Sequence, residues 1–164
     1  DVERSRGLGD VYKRQDPVLT LILGSLIILA IIAANGFFVA QEFAYMSVDR
    51  VRLQTAAKAG DRAAARALQV TRRTSFMLSG AQLGITVTGL MVGYVAEPMV
   101  GAALTELLGG TALPSEVVIA ISTLGVLVVA TLVQMIIGEL YPKNLAIANP
   151  EPLARALALS LIHI

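Results

Sequence analysis

The sequence predicts an all-α membrane protein: three transmembrane helices, a basic juxtamembrane helical hairpin and a C-terminal juxtamembrane helix. Three observations carry this reading. Charged residues make up 15% of the 164 positions and hydrophobic ones 55%, with a mean hydropathy of +0.72, far less charge than a soluble domain of this size usually carries. Three charge-free runs, 17–41, 74–96 and 117–138, each reach the roughly 20 residues a helix needs to cross a bilayer. Between the first two runs lie Arg50, Arg52, Lys58, Arg62, Arg66, Arg72 and Arg73, whereas 97–116 holds no Lys or Arg.

Composition also excludes. There is no Cys, so disulfides, thiolate metal sites and cysteine catalysis are ruled out. The single histidine, His163, stands next to the C-terminus, which disfavours a His-based zinc site or a Ser-His-Asp triad. A net charge of +1 gives no argument for nucleic-acid binding. No nucleophile–base set is visible, so an enzyme is the weakest class.

Residues 1–16 are polar and charged, without the apolar core of a signal peptide. They read as a non-native or disordered leader. The first span, about 17–41, carries Asn35-Gly36-Phe37-Phe38 in its second half, followed by Glu42. Asn and Gly there mean either close packing or a break lining a polar cavity. Residues 49–73 are rich in Ala and Arg, good helix formers, with a turn at Gly60-Asp61. That pattern gives a basic helical hairpin on the membrane surface, the alternative being a plain cytoplasmic loop.

The second span, about 74–96, is studded with small and polar residues. Ser79, Gln82 and Thr86 recur at helical spacing and share a face. Gly80, Gly84 and Gly89 admit a neighbouring helix. The competing reading is plain helix packing with back-bonded hydroxyls. Glu97-Pro98 is expected to end this span, and 97–116 to be a loop with a short helix. The third span, about 117–138, ends in Gly138-Glu139, and Pro142-Lys143 follows. Proline lacks an N–H and its ring clashes with the preceding turn, so a break is expected there, with carbonyls freed beside the carboxylate. From Asn144 the chain is alanine-rich and too short to span. It reads as a juxtamembrane helix, and the chain is expected to stop inside a longer protein.

The basic loop is cytoplasmic by the positive-inside rule, leaving the N-terminus outside and the C-terminus inside. Arg4, Arg6, Lys13 and Arg14 oppose this, another reason to set the leader aside. The three polar clusters then occupy the same half of the membrane. Hydroxyls, amides and one or two carboxylates form a hard-oxygen set suited to Mg2+, Ca2+ or Na+. An intramembrane carboxylate is expensive and functional by default. For Glu139 the alternative is an interfacial acid paired with Lys143, and for Glu42 an ion pair with an arginine of the loop.

Asn35-Gly-Phe-Phe-Val-Ala-Gln-Glu-Phe-Ala, Leu78-Ser-Gly-Ala-Gln-Leu-Gly-Ile-Thr and Gly138-Glu-Leu-Tyr-Pro-Lys, in this order, resemble the membrane domain of the CorC/CNNM magnesium transporters, also called DUF21, whose bacterial members are often labelled hemolysin-like. The resemblance runs from about Val18 to Ser160. It implies three transmembrane helices, a homodimer in the lipid bilayer of the bacterial inner membrane, and Mg2+ export coupled to Na+. It implies a Mg2+ site with Glu139 as ligand, joined by Ser79, Gln82, Thr86, Asn35 and Gly138, with Gly36, Gly84, Pro142 and Lys143 as hinge or packing positions. It also implies continuation into paired CBS domains that bind ATP, which are absent from this sequence. The competing class is a non-transporting anchor or sensor that dimerises and recruits a partner.

Overall fold

The computed structural model describes residues 16–162, with side chains as far as Ala158. The leader up to Gln15 and His163 lie outside the described residues. In order, the elements are α1 (Pro17–Ser47), α2 (Arg50–Lys58), α3 (Arg62–Thr71), α4 (Thr74–Val95), a first π-helical segment (Ala96–Gly101) and α5 (Ala102–Leu108). Then come α6 (Ser115–Val133), a second π segment (Gln134–Leu140), α7 (Tyr141–Ala148) and α8 (Pro150–Ile162). No strand occurs among the described residues. Three helical stretches, Pro17–Ser47, Thr74–Leu108 and Ser115–Ala148, are long and apolar enough to cross a membrane.

All three outrun the charge-free stretches. Asp16 stands immediately before α1, and its carboxylate accepts from the Val18 N–H at 2.9 Å, as a helix cap does. α1 also passes through Asn35-Gly36 without a break. Of the two roles open to that pair, close packing is the one adopted: a Cβ on Gly36 would lie 3.5 Å from the Ile137 carbonyl oxygen and from the Pro142 ring.

Glu97-Pro98 does not end the second span, and 97–116 is mostly helical. The chain continues through the first π segment and α5 to Leu108. Nor does Pro142 break the third span: the second π segment passes directly into α7. The physical reason is shared. A proline inside a helix leaves the carbonyl four residues earlier without its donor. A π turn bonds five residues apart and is wider, so the backbone can change its pairing register without leaving the helical path. Pro98 lies inside one π segment and Pro142 two residues beyond the other.

Contacts between elements group into two compact units, the described residues up to Leu29 with Val92–Ala130, and Ala30–Met91 with Thr131 onward. In the first unit α1 approaches the first π segment so closely that a Cβ on Gly24 would lie 2.8 Å from the Cβ of Met99. Val92, Ala96, Val100, Ala103 and Val118 are buried there.

The second unit contains the hairpin. Asp49 and Asp61 cap α2 and α3, each accepting from two backbone N–H groups, and Gly60 makes the turn at φ +96, in the left-handed region that suits glycine. Ala64 and Ala67 of α3 and Ala154 and Ala158 of α8 are fully buried in one cluster with Leu53. Alanine on both sides lets the two helices approach closely. The Tyr45 hydroxyl donates to the Ala154 carbonyl at 2.8 Å, and Arg155 reaches Asp61 at 3.1 Å. The hairpin, the end of α1 and the C-terminal helix are thus one packed body, as an alanine-rich juxtamembrane pair should be.

The Asp61 carboxyl titrates below its ordinary value of 3.8, chiefly because of the Ala64 N–H, helped by the Ala63 N–H and by Arg155 and Arg66. A lowered folded-state pKa contributes stability that is present above the ordinary value and lost as pH falls through the folded one. Asp61→Asn keeps a capping oxygen but no charge. Thermal unfolding followed by circular dichroism should show a lower midpoint than wild type at pH 7 and a smaller further drop below about pH 4.

Candidate cation site

The polar residues singled out from sequence fall into two groups, both in the second unit. The first is buried and built on Asn35, which is 0% exposed. Its amide nitrogen donates to the Gly138 carbonyl at 3.0 Å, and its amide oxygen accepts from the Thr88 hydroxyl at 2.7 Å. Gly138 lies in the second π segment, where the Tyr141 N–H bonds five residues back to the Ile136 carbonyl. A buried amide in a membrane span must find its partners inside the protein, and the Gly138 carbonyl accepts from Asn35. A Cβ on Gly138 would come within 3.1 Å of the Asn35 nitrogen, so the absence of a side chain lets the amide in. The Thr88 oxygen also lies 2.7 Å from the Gly84 carbonyl of its own helix, so its one proton is shared between Asn35 and the usual back-bond of an intrahelical hydroxyl.

The second group lies on the other side of α4. Ser79, Gln82 and Thr86 are all exposed. Their shared face is therefore real, but Asn35 is not on it. Thr86 back-bonds to the Gln82 carbonyl at 2.9 Å. The Gln82 amide donates to a Glu42 carboxylate oxygen at 3.3 Å. Glu42 is half-buried, and its partner is this amide, not an arginine of the loop.

Glu139 is exposed beside buried Gly138 and has no hydrogen-bond or ion-pair partner among the described residues. The expected alternative, a pair with Lys143, does not form: the Lys143 ammonium sits 4.8 Å from the centre of the Phe43 ring, a cation–π contact. Pro142 is buried against Gly36. A Cβ on Gly84 would fall 2.6 Å from the Phe38 ring, so this glycine seats α4 on α1.

Sequence reasoning did not place Thr88 or Glu42 in the site. Thr88 is one of several hydroxyls on α4, and only the packing of Asn35 against it distinguishes it. Glu42 was legible as an acid at the end of a span, but its partner was not. No three His, Cys, Asp or Glu residues cluster among the described residues. The available donors are thus carbonyl, amide and hydroxyl oxygens with single carboxylates. In proteins generally, Mg2+ sites use one or two carboxylates and keep several waters.

The chain matches the Cyclin M transmembrane N-terminal domain over residues 26–163. It belongs to the CNNM family. It is 39% identical over 141 residues to the UPF0053 protein MT1890 of Mycobacterium tuberculosis, covering 86% of this chain and 30% of that one. It is 35% identical over 137 residues to the UPF0053 protein YhdT of Bacillus subtilis, with 83% and 30% covered. Identity to the UPF0053 protein sll0260 of Synechocystis is 33% over 131 residues, with 80% and 29% covered. The chain thus spans about 30% of the length of these relatives. The CNNM match encloses both polar groups and both ends of the hairpin.

Two predictions test this packing. Asn35→Ala should lower stability by roughly 1–3 kcal/mol, because a buried carbonyl loses its donor. Gly84→Ala should destabilise by about 1–3 kcal/mol through overpacking, and Phe38→Leu should recover part of that loss by removing the ring.

Proposed function

We propose that this CNNM membrane domain exports Mg2+ across the bacterial inner membrane, coupled to Na+, through an oxygen-lined site around Glu139. The observation that supports this most is the second π segment. It sets an unpartnered carboxylate next to a buried carbonyl that Asn35 engages, at a span of high hydropathy. π segments recur at functional sites, and a carboxylate without a counter-charge in a membrane span calls for a cation.

In this reading Mg2+ arrives from the side of the basic hairpin, which the positive-inside rule makes cytoplasmic. Glu139 supplies charge compensation for lost hydration. Ser79, Gln82 and Thr86 supply neutral oxygens from α4, with the Gln82 amide oriented by Glu42 so that its own oxygen is free. Asn35 acts by holding the Gly138 region to α4, because both ends of its amide are engaged. The exposed polar face of α4 would be costly against lipid, and a homodimer that covers it supports the oxygen-lined site. The rest of a full-length protein, with CBS domains that bind ATP, would regulate the transport.

One observation favours the second reading, a non-transporting anchor or sensor. Among the described residues, the buried polar network of Asn35 with Thr88 and Gly138 is satisfied internally and serves helix packing. The two readings separate on thermal stability of the detergent-purified chain with and without Mg2+. Binding to the native state raises the midpoint by mass action. At about 100 times the dissociation constant the gain is about 2.7 kcal/mol. Wild type should be stabilised by Mg2+ at millimolar concentration or below, and Glu139→Gln should lose the shift while keeping its Mg2+-free midpoint. No response in either protein would favour the anchor or sensor.

A further inference from the structure

The hairpin brings together three arginines that neither the fold nor the ion site uses. Arg50 opens α2, three residues after α1 ends at Ser47, and Arg72 and Arg73 form the turn that leads into α4 at Thr74. They are far apart in sequence, yet an Arg50 guanidinium nitrogen donates to the Thr74 hydroxyl at 3.1 Å. That bond carries Arg50 to the start of α4, beside Arg73. All three side chains are exposed, and none has an acidic partner among the described residues. Their neighbour Arg52, by contrast, is paired with Asp49 and Glu151, and Arg155 with Asp61 and Glu151. The acids of the hairpin therefore go to other cations, and at the junction Arg50 is tied to Thr74, directly after Arg72 and Arg73, with none of the three arginines paired to an acid among the described residues. Arg72 also follows the last turn of α3, where a cation suits the helix dipole, but that role asks nothing of Arg50 or Arg73.

The place of this cluster fixes the kind of partner. Arg50 and Arg73 flank the ends of two helices long and apolar enough to cross a membrane, so in a bilayer they would stand near the lipid headgroups. Two apolar side chains stand out beside them: Val51 is 71% exposed and Phe76, three residues into α4, is 78% exposed. A soluble anion would use the guanidinium groups and leave those surfaces wet. A phospholipid uses both, with phosphate on the arginines and glycerol and acyl carbons on Phe76 and Val51. Guanidinium groups offer forked donors that match phosphate oxygens, and basic residues at the end of a transmembrane helix are attracted to anionic lipid.

We propose that Arg50, Arg72 and Arg73 together bind the headgroup phosphate of an anionic phospholipid at the junction of the hairpin with α1 and α4. Because α2 and α3 share one buried cluster with Tyr45 and α8, lipid bound there holds the hairpin against the membrane. This site does not depend on the cation reading and stands or falls separately from it.

The test is thermal unfolding of the full chain in a neutral detergent, titrated with phosphatidylglycerol, with phosphatidylcholine of the same acyl chains, or with inorganic phosphate. Phosphatidylglycerol should raise the midpoint, and the other two should not. Arg72→Gln/Arg73→Gln should weaken the apparent affinity roughly five-fold for each arginine removed, and Arg50→Gln alone should weaken it by one such step. Lys58→Gln/Arg62→Gln removes the same charge elsewhere on the hairpin and should leave the response intact. Arg72→Lys/Arg73→Lys, which keeps charge and fold, should show an intermediate response. Equal losses in the two glutamine doubles would overturn the site in favour of diffuse attraction. A shift reproduced by phosphate would make it a free-anion site, and no shift with phosphatidylglycerol in wild type would end the proposal.

Discussion

A polar side chain buried in a membrane span has no water to pair with, so its repair falls to the protein. In this chain the side chain is Asn35, and the repair comes from the Gly138 carbonyl at one end of its amide and the Thr88 hydroxyl of α4 at the other. It constrains much around it. The amide must reach a backbone, so position 138 has no side chain. Close approach of α1 then calls for Gly36 facing Pro142 and Gly84 facing Phe38. One amide thus links three helices through a buried hydrogen-bonded triad.

The same repair sets the context of Glu139. The π segment that carries it keeps the helix running into α7, so the carboxylate is presented from a rigid, continuous element. A true break would have put it in a loop, with several free carbonyls and little positional control. As built, one carbonyl is spoken for by Asn35, while the carboxylate next to it has no partner. The structural and the chemically available groups therefore alternate along the chain, Gly138 inward and Glu139 outward. A comparable division runs through α4, with Thr88 turned to the packing and Ser79, Gln82 and Thr86 turned away.

The hairpin follows different rules because it lies outside the apolar runs. Its helices are short, so they rely on caps and on packing with α8. Asp49 and Asp61 provide the caps, and alanines provide the close contact. Its charges divide into paired and unpaired sets, and the unpaired arginines collect where the chain enters the membrane-crossing helices.

By itself the sequence determined the three apolar helices, the basic hairpin with its turn at Gly60, the C-terminal helix and the membership signalled by the three motifs. These follow from local properties: charge-free length, helix propensity and turn chemistry act within a few residues. It also marked Asn35, Gly138, Glu139 and Gln82 as unusual for a membrane span. Only the tertiary structure decided what each does. Which group the Asn35 amide meets depends on packing, and its partner lies 103 residues away at Gly138. Whether Glu42 pairs with an arginine or an amide, and whether Lys143 turns to Glu139 or to Phe43, depends on which side chains the packing brings within reach. Partner choice is a matter of distance in space, which a pattern of residue types along the chain does not encode.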